Sequence, residues 1–374
     1  MTSTDSRPRI LIAIDWYLPA FRAGGPIRSI ANLIAALGNE FKFHIVCGNR
    51  DLGSAADLDV PTNQWVTVGR TEVYYLPRDQ WTASTWAKLL RDLQPDRLYL
   101  NSLYSGPFSR LPWKVARSMG IPTTLAPRGM LGEGALRIKP LRKRLWLMAQ
   151  KVLGNYDDVI WHASTEQEAE EIRRWFPRAE ILTALNLPVP FDPKPVPRSD
   201  DSNLTLISVG RVHPIKNYLH GVHVANALAE QGRSVCYRIV GPIEDRNEAA
   251  RLKQAAKGIQ LDFTGPVAPP EVKHHFASAH LVLVPSLNEN FGHAVAEAIA
   301  HGRPALVSDQ TVWSTMRPGQ TVSCLPLEVS LWVQKATAHM DMDGNTVLEQ
   351  SRNTYARCLL NEDHLEAQRI IFSP

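Results

Sequence analysis

Short apolar runs alternate with amphipathic stretches through the first half of the chain. An unbroken aliphatic run at 10–15 predicts a strand that is buried on both faces. Apolar residues then recur at helical spacing over 26–37, where Pro26 suits the first helical position and Gly38 the C-terminal cap. Further strands are predicted at 43–47, 73–76, 97–100, 123–126 and 159–162, with helices at 84–93, 111–119, 140–153 and 165–176.

The alternation stops at 187–203, a stretch with five prolines and almost no periodic apolar signal. Proline lacks a backbone donor and disfavours helix in the residue before it, so this stretch is predicted to be a linker. The alternation then restarts. Strands are predicted at 204–209, 237–240, 261–264, 281–284 and 305–308, with helices at 218–230, 247–256, 270–277 and 291–301.

Strands that alternate with helices predict a largely parallel sheet covered on both faces. We therefore expect an α/β protein of two Rossmann-like β/α/β domains, residues 9–186 and 204–374, facing each other across a cleft. Residues 1–8 are expected to be disordered. The final helix is expected either to complete the second domain or to return to the first. Ligands of such sheets bind beyond the carboxyl ends of the strands.

Composition narrows the possible partners. The 374 residues are 44% hydrophobic and 21% charged with a net charge of +4, which is ordinary for a globular protein and gives no reason to expect nucleic acid as a partner. No signal peptide is apparent, and no apolar run approaches the roughly 18 residues of a membrane span. The cysteines lie far apart without a CxxC pair, which fits a reducing cytoplasm; they are Cys47, Cys236, Cys324 and Cys358.

The segment 285–309 carries the strongest chemical signal. A predicted strand ends at Val284, a polar loop follows, and a predicted helix starts near Phe291. The unpaired N–H groups of a helix start beside a strand end bind anions, and Gly292 removes a side chain that would hinder a phosphate. Glu289 and Glu297 could accept hydrogen bonds from sugar or ribose hydroxyls. The alternative is a solvated loop residue and a surface helix residue.

Two more loops follow the first strand of each predicted domain. Arg211 and Lys216, after strand 204–209, could neutralise a diphosphate and the charge it gains on departure. Their alternative is an ordinary exposed pair of cations. In the other half, Gly24 and Gly25 permit a tight turn and a close backbone approach, or form a plain turn before the helix.

Together these segments resemble the family 4 glycosyltransferases of the GT-B fold. The resemblance rests on Glu289 and Glu297 in ENFGHAVAEAIAHGRPALVSD, on GRVHPIKN about 70 residues upstream, and on AGGPIRSIANL near the start. The stretch APRGML at 126–131 is similar to a segment of bacterial members that build surface polysaccharides.

The resemblance implies a retaining, metal-independent hexosyltransferase that uses a nucleoside diphosphate sugar as co-substrate and needs no cofactor. The C-terminal domain would bind this donor, and the N-terminal domain would hold a glycan or lipid-linked acceptor. Glu289 would contact the donor sugar, Glu297 the ribose, and Arg211 and Lys216 the diphosphate. The backbone at Asn290, Phe291 and Gly292 would donate hydrogen bonds to the sugar and the phosphate. Gly24, Gly25 and Gly210 are further candidates for donor binding.

The sequence departs from the family pattern after strand 123–126. Many members carry a histidine there, whereas this chain has Pro127 and Arg128. Arg128 is a candidate for contact with the donor sugar or an anionic acceptor. His162, at the end of another predicted strand, is a candidate for the same role or a hydrogen-bonded core histidine.

The segment 137–153 is strongly basic and carries apolar residues near one face. It is either an interfacial helix that contacts anionic lipid at the inner face of the cell membrane, or a solvated basic helix packed by its apolar stripe. Other functions for the whole chain are a non-catalytic sugar-nucleotide-binding regulatory partner and a GT-B epimerase or phosphorylase. Beyond residue 320 the sequence suggests a short, irregular region.

Overall fold

The structure is a computed structural model that describes residues 6–136, 140–194, 204–316, 318–319 and 321–373. Parts of three expected segments lie outside the described residues: 1–5 of the N-terminus, 137–139 of the basic segment and 195–203 of the proline-rich stretch. The chain divides into two compact units, one of residues 1–187 and 362–374, the other of residues 188–361.

Unit 1 is built on an eight-stranded sheet in the order β3-β4-β2-β1-β5-β6-β7-β8. All neighbours are parallel except β3 and β4. The central strand is covered on both faces, since Ile10, Leu11 and Ile12 are fully buried, as its unbroken aliphatic run predicts. The strands are β1 Arg9–Ala13, β2 Lys42–Gly48, β3 Trp65–Val68, β4 Thr71–Leu76, β5 Arg97–Leu100, β6 Thr123–Leu125, β7 Ile160–Ala163 and β8 Glu180–Thr183.

Helices cover this sheet, and their ends follow the capping residues in the sequence. Thr82 and Thr165 each accept a backbone N–H at the start of a helix, which satisfies a donor that has no partner within the helix. A π-helical turn, Gly106–Arg110, runs directly into the third helix. The helices are α1 Gly25–Leu37, α2 Ala83–Leu93, α3 Leu111–Ser118, α4 Glu133–Leu136, α5 Pro140–Val152 and α6 Glu166–Trp175.

Unit 2 contains a six-stranded sheet, parallel throughout, in the order β11-β10-β9-β12-β13-β14. Its strands are β9 Leu204–Val209, β10 Val235–Val240, β11 Gln260–Phe263, β12 Leu281–Val284, β13 Ala305–Ser308 and β14 Val322–Leu325. Its helices are α7 Tyr218–Glu230, α8 Arg246–Ala255, α9 Pro269–Ala277, α10 His293–Ala300, α11 Trp313–Met316, α12 Val329–Met340 and α13 Gly344–Thr354.

The last helix, α14 Glu362–Phe372, belongs to unit 1. The Phe372 ring lies 5.6 Å from Phe43 and 5.1 Å from Tyr99, centroid to centroid. The Arg369 guanidinium is 2.7 Å from a carboxylate oxygen of Glu40. Aromatic packing and an ion pair thus attach the end of the chain to the sheet that begins it.

Two sequence expectations need correction. The region after 320 is regular rather than irregular, because α12, α13 and α14 occupy most of it. The helix expected at 291–301 begins only at His293, since Gly292 has a φ of +78°, which an α-helix cannot include. None of the helices in the described part of the chain is both long and apolar enough to cross a membrane.

Candidate functional site

The order of strands in unit 2 indicates where a ligand would bind at the edge of its sheet. In unit 2 the chain leaves β9 towards β10 on one side and later adds β12 on the other, so the connections diverge between β9 and β12. Loops beyond the carboxyl ends of strands at such a point form ligand sites in parallel sheets. These two loops touch, because the Leu287 N–H donates to the Ile215 carbonyl at 2.9 Å.

Lys216 and Glu289 meet at this edge, one from each loop. The Lys216 Nζ lies 2.6 Å from Glu289 Oε1, and the two side chains are only 20% and 13% exposed. Ser286 donates a second hydrogen bond to the same carboxylate oxygen at 2.7 Å. A carboxylate in this position is not a solvated loop residue, so that alternative for Glu289 is excluded.

The loop after β9 is shaped to present Lys216. His213 caps a single 3-10 turn, Pro214–Lys216, by accepting the Ile215 N–H. Asn217 then adopts the left-handed conformation with φ 49°, a region that asparagine tolerates better than most residues. This reverses the chain into α7 and leaves the lysine at the end of the turn.

Arg211 pairs with a different carboxylate, that of Glu244, and both side chains are 43% exposed. An ion pair this exposed contributes little to stability because solvent screens it. Arg211 can therefore exchange its partner for an anionic ligand at small cost.

Tyr218 was missed by sequence reasoning, because it occupies an ordinary apolar position at the start of a helix. It is 2% exposed, and its hydroxyl has no hydrogen-bond partner among the residues the structure describes. Burial raises its pKa well above the ordinary value, with Tyr237 and Glu289 raising it further and Arg211 lowering it. A Cβ on Gly210 would lie 2.8 Å from this hydroxyl, so the glycine keeps that space open.

The loop after β12 ends in a backbone conformation that requires glycine. Gly292 has a φ of +78°, and a Cβ there would lie 2.7 Å from Trp313 Nε1. Trp313 is fully buried and donates to the Phe291 carbonyl at 2.7 Å. No side chain of the described residues caps the start of α10, so its first N–H groups are suited to an anion. Asn290, half-buried, lies in the same loop.

Glu297 lies on the buried face of α10 with 4% exposure. The alternative of a surface helix residue is therefore wrong for this carboxylate. Burial of an ionisable group costs free energy unless the group is paired or hydrogen-bonded, which distinguishes Glu297 from the exposed acids of the chain.

Gly24 and Gly25 lie in unit 1, in the loop between β1 and α1. Gly24 has a φ of +67° and an open space where a Cβ would be, and the helix begins at Gly25 without a side-chain cap. The same edge of the sheet holds a polar contact, since Ser105 donates to Asp15 at 2.7 Å and burial raises the pKa of Asp15.

Arg128 is held by a network inside unit 1. Its Nε donates to the Asn101 side-chain oxygen and its Nη2 to the Tyr99 hydroxyl, each at 2.7 Å, and its Nη1 donates to Asn186. Its backbone has a left-handed φ of 54°, a conformation that costs a non-glycine residue about 1 kcal/mol or more. Three of the five N–H groups of the guanidinium are thus committed to protein acceptors.

His162 is a hydrogen-bonded core histidine, which is the second of the two roles expected for it. It is 1% exposed. Its Nε2 donates to the Ala184 carbonyl at 2.8 Å, so Nδ1 accepts from the Tyr99 hydroxyl at 2.7 Å. Burial and then the charge of Arg128 lower its pKa to about 3. The neutral ring orients Tyr99, which in turn accepts from Arg128.

Glu168 is a second residue that the sequence did not single out. It is 2% exposed and accepts from the backbone N–H of Gly129 and from both the N–H and hydroxyl of Ser164. Its position at the start of α6, three residues after the capping Thr165, is typical of a capping box. Here the glutamate instead fixes the loop that carries Arg128.

The structure therefore brings Lys216 and Glu289 into contact at one sheet edge of unit 2, whereas Arg211 pairs with Glu244. The candidates Gly24, Gly25, Arg128 and His162 belong to unit 1. Within unit 2, the contact between Lys216 and Glu289 is the central one. No group of three or more His, Cys, Asp or Glu side chains in the described ranges is arranged to hold a metal ion.

Comparison with known proteins identifies the class. Residues 24–186 match the model of the glycosyl transferase 4-like domain, and residues 192–314 match that of glycosyl transferases group 1. The chain is also similar in structure to sucrose-phosphate synthase from Thermosynechococcus elongatus, with a TM-score of 0.68 and 16% identity over 97% of this chain and 98% of that one. It is also similar to the chain of a solved E. coli structure, described as trehalose-6-phosphate bound with UDP-2-fluoro glucose, with a TM-score of 0.66 and 12% identity over 98% of this chain and 99% of that one. The fold is α/β of the GT-B type.

The chain belongs to the family 4, or group 1, glycosyltransferases. Among curated proteins it is 26% identical over 251 residues to a GDP-mannose-dependent alpha-(1-6)-phosphatidylinositol dimannoside mannosyltransferase of Mycobacterium tuberculosis. The match covers 63% of this chain and 63% of that protein.

Proposed function

We propose that this chain transfers a sugar, with retention and without a metal, from a nucleoside diphosphate sugar to a glycan or lipid-linked acceptor in bacterial polysaccharide synthesis. The observation that carries the proposal is the contact of Lys216 with Glu289 at 2.6 Å, at the edge where β9 and β12 end. A cation and a carboxylate at this position can bind the two parts of the donor, the cation the diphosphate and the carboxylate the sugar.

The diphosphate is assigned to Arg211, Lys216 and the start of α10. Fixed cations and helix N–H groups favour the charge that a diphosphate gains as its bond to the sugar breaks. Glu289 and Glu297 are assigned to the sugar and the ribose, because carboxylates accept hydrogen bonds from vicinal hydroxyls. Support for this class of donor comes from the UDP-2-fluoro glucose in a structure of similar fold.

A thermal-shift screen of the whole chain with UDP-, GDP- and ADP-linked sugars tests the donor class, since a ligand that binds only the native state raises stability. We expect one of the three to raise the melting temperature, and expect Lys216→Ala to lose that rise. Lys335, exposed on α12, provides the matched control Lys335→Ala. No shift with any of the three donors would contradict the proposal.

The same cations support transfer without a metal, because they can supply the positive charge that a metal would otherwise supply. We expect the release of nucleoside diphosphate to persist in excess EDTA. Retention rests on the family resemblance, and nuclear magnetic resonance of the product would report it as an unchanged anomeric configuration. An inverted product would contradict that part of the proposal.

A lipid-linked acceptor requires the protein to reach a membrane, and α5 suits this purpose. Leu141, Leu145, Met148 and Val152 are 56% to 84% exposed, so the apolar stripe does not pack the helix against the protein. Basic side chains lie beside this face, which favours anionic lipid. The curated relative, whose name specifies a phosphatidylinositol dimannoside, supports a lipid acceptor.

We expect the chain to bind vesicles that contain phosphatidylglycerol at low salt, and expect Leu145→Ser to weaken that binding. Ile370, 51% exposed on α14, offers the control Ile370→Ser for the loss of an exposed aliphatic residue elsewhere in unit 1. Equal binding of neutral and anionic vesicles would contradict an electrostatic membrane contact.

A further inference from the structure

A cavity of about 400 Å³ lies in unit 1 beside α5, lined by Tyr104, Arg110, Arg142, Lys143 and Trp146. Tyr104 follows β5, Arg110 ends the π-helical turn, and the others stand on the first two turns of α5. Among the residues that the structure describes, the wall is composed of two aromatic rings and three cations, without a carboxylate. Cavities of this volume accommodate a small ligand rather than a single ion.

The cations of this cavity are arranged on aromatic rings. Lys143 Nζ lies 5.1 Å from the Tyr104 ring centroid, and the Arg110 guanidinium lies 6.0 Å from that of Trp146. The two rings meet edge to face at 5.4 Å. Among the residues that the structure describes, neither Arg110 nor Arg142 pairs with a carboxylate. Both guanidinium groups are therefore available to bind an anionic ligand.

The Tyr104 hydroxyl is a second, independent sign of a ligand. It is buried and has no hydrogen-bond partner within the described part of the chain. Burial raises its pKa to about 12, so the group is a neutral donor at physiological pH. A buried hydroxyl without a partner is costly unless something supplies an acceptor. An anion in the cavity would supply one.

The helix that lines this cavity also carries the exposed apolar face described above. Leu141 and Leu145, on either side of Arg142 and Lys143 in sequence, are 77% and 67% exposed. An occupant that satisfies both features carries an anionic group and an apolar chain. A phosphate group suits three cations and a hydroxyl donor better than a carboxylate does, because it carries more negative charge and three strong acceptor oxygens. The planar fork of arginine binds two such oxygens at once.

We propose that the cavity of Tyr104, Arg110, Arg142, Lys143 and Trp146 binds the phosphate group of a membrane lipid, and so selects a phosphate-bearing lipid as the acceptor. This inference rests on the proposed transfer to a lipid-linked acceptor. The phosphate occupies the cationic cavity, the Tyr104 hydroxyl donates to it, and the apolar face of α5 lies against the lipid chains. The cavity thereby adds recognition of one lipid group to the general attraction of a basic helix.

The test separates phosphate recognition from surface charge. The whole chain is titrated with phosphatidylcholine vesicles that contain either phosphatidic acid, with its terminal phosphate, or oleate, adjusted to equal surface charge. We expect at least about ten-fold tighter binding to phosphatidic acid, as for a charged bidentate contact. Arg142→Gln and Arg110→Gln should each remove most of that preference.

Arg144 provides the matched control, since it stands on the same helix, is exposed and does not line the cavity. Arg144→Gln removes the same charge and should weaken binding to both vesicles alike, by about five-fold or less, with the preference intact. Equal preference in Arg142→Gln and Arg144→Gln, or no preference in the natural chain, would overturn the proposal.

Inorganic pyrophosphate distinguishes a lipid from a soluble phosphate. We expect it to compete only at concentrations far above those of phosphatidic acid, because it cannot use the apolar face. Pyrophosphate that binds as tightly as the lipid, with no effect of Leu145→Ser on vesicle binding, would overturn the lipid assignment. The nucleotide-sugar thermal shift is recorded on the same samples. Absence of the thermal shift would contradict only the assignment of the donor site. Absence of the preference for phosphatidic acid would contradict only the assignment of the lipid-phosphate cavity.

Discussion

Each unit holds a basic side chain near the carboxyl end of its sheet, but the two are engaged in different ways. Among the residues that the structure describes, Lys216 in unit 2 has one carboxylate partner, Glu289, on a neighbouring loop. Arg128 in unit 1 is held by three side chains, Asn101, Asn186 and Tyr99. A cation with one partner can turn to a ligand, whereas one with three is fixed in place. The difference predicts that substitution of Lys216 affects chemistry and substitution of Arg128 affects stability first.

The largest effect is expected for Lys216→Ala. Removal of one fixed group that stabilises a developing negative charge costs roughly 10²–10³-fold in rate, and we expect a loss of this order in donor cleavage. The melting temperature without ligand should change little. Lys335→Ala, which removes an exposed lysine of the same unit, should retain full activity. Loss of activity only through unfolding would contradict the assignment.

Arg128→Ala, unlike Lys216→Ala, should lower the stability of the chain first. It leaves the side chains of Asn101, Asn186 and Tyr99 without their donor, and we expect a loss of about 3 kcal/mol in the free energy of unfolding. Urea unfolding of the whole chain measures this. Arg91→Ala, at an exposed position of α2, should cost less than about 0.5 kcal/mol. Unchanged stability in Arg128→Ala would show that the network does not hold unit 1 together.

The same network predicts a dependence on pH. The pKa of His162 is lowered to about 3, whereas an unfolded histidine titrates near 6.5. Between these values only the unfolded chain takes up the proton, so the contribution of His162 is complete above about pH 6.5 and decreases as the pH falls. We expect the stability cost of His162→Gln to shrink by about 2 kcal/mol from pH 7.5 to pH 5.

Unfolding of both chains at the two pH values measures this difference. His274→Gln removes an exposed histidine of α9 and serves as the control, with an expected cost below about 0.5 kcal/mol at either pH because surface substitutions have small effects. A cost of His162→Gln that is equal at both pH values would mean that the buried ring is already protonated at pH 5.

The smallest effects are expected for alanine substitutions at two glycines, Gly292 in unit 2 and Gly24 in unit 1. Gly292 and Gly24 both have positive φ, but a Cβ would meet Trp313 only at Gly292. We expect Gly292→Ala to cost about 2 kcal/mol and to weaken donor binding, and Gly24→Ala to cost about 1 kcal/mol from backbone strain alone. Unfolding and thermal-shift measurements on both variants test this. Equal costs would mean that Trp313 moves aside freely.

Much of the fold could be predicted from the sequence because buried parallel strands are continuous aliphatic runs. The strands expected at 97–100, 204–209, 281–284 and 305–308 have the observed bounds. The edge strands β3, β8 and β14 escaped prediction, since a half-exposed strand of four residues carries little periodic signal. The helices after 329 escaped as well, because the apolar faces they bury are interrupted by polar residues.

Site residues could be predicted where a short sequence motif contains them. Their contacts could not be predicted where the partners come from distant parts of the chain. Glu289 and Lys216 could be singled out from their loops, but their mutual contact spans 73 positions. The three acceptors of Arg128 come from two strand ends that are distant in sequence, Tyr99 and Asn101 at β5 and Asn186 after β8, a convergence that only the folded sheet creates. Tyr218 and Glu168 gave no signal, since a helical tyrosine and an acid in a first turn are commonplace.

The central claim is that Lys216 and Glu289 form one donor site, and a double-mutant cycle tests it most directly. The measurement is the rate at which nucleoside diphosphate is released from the sugar nucleotide that raises the melting temperature, for Lys216→Ala, Glu289→Ala and the double variant. Groups that act as a unit are not additive. We predict that each single variant loses most of the activity and that the double variant loses scarcely more. Full activity in both single variants would contradict the account.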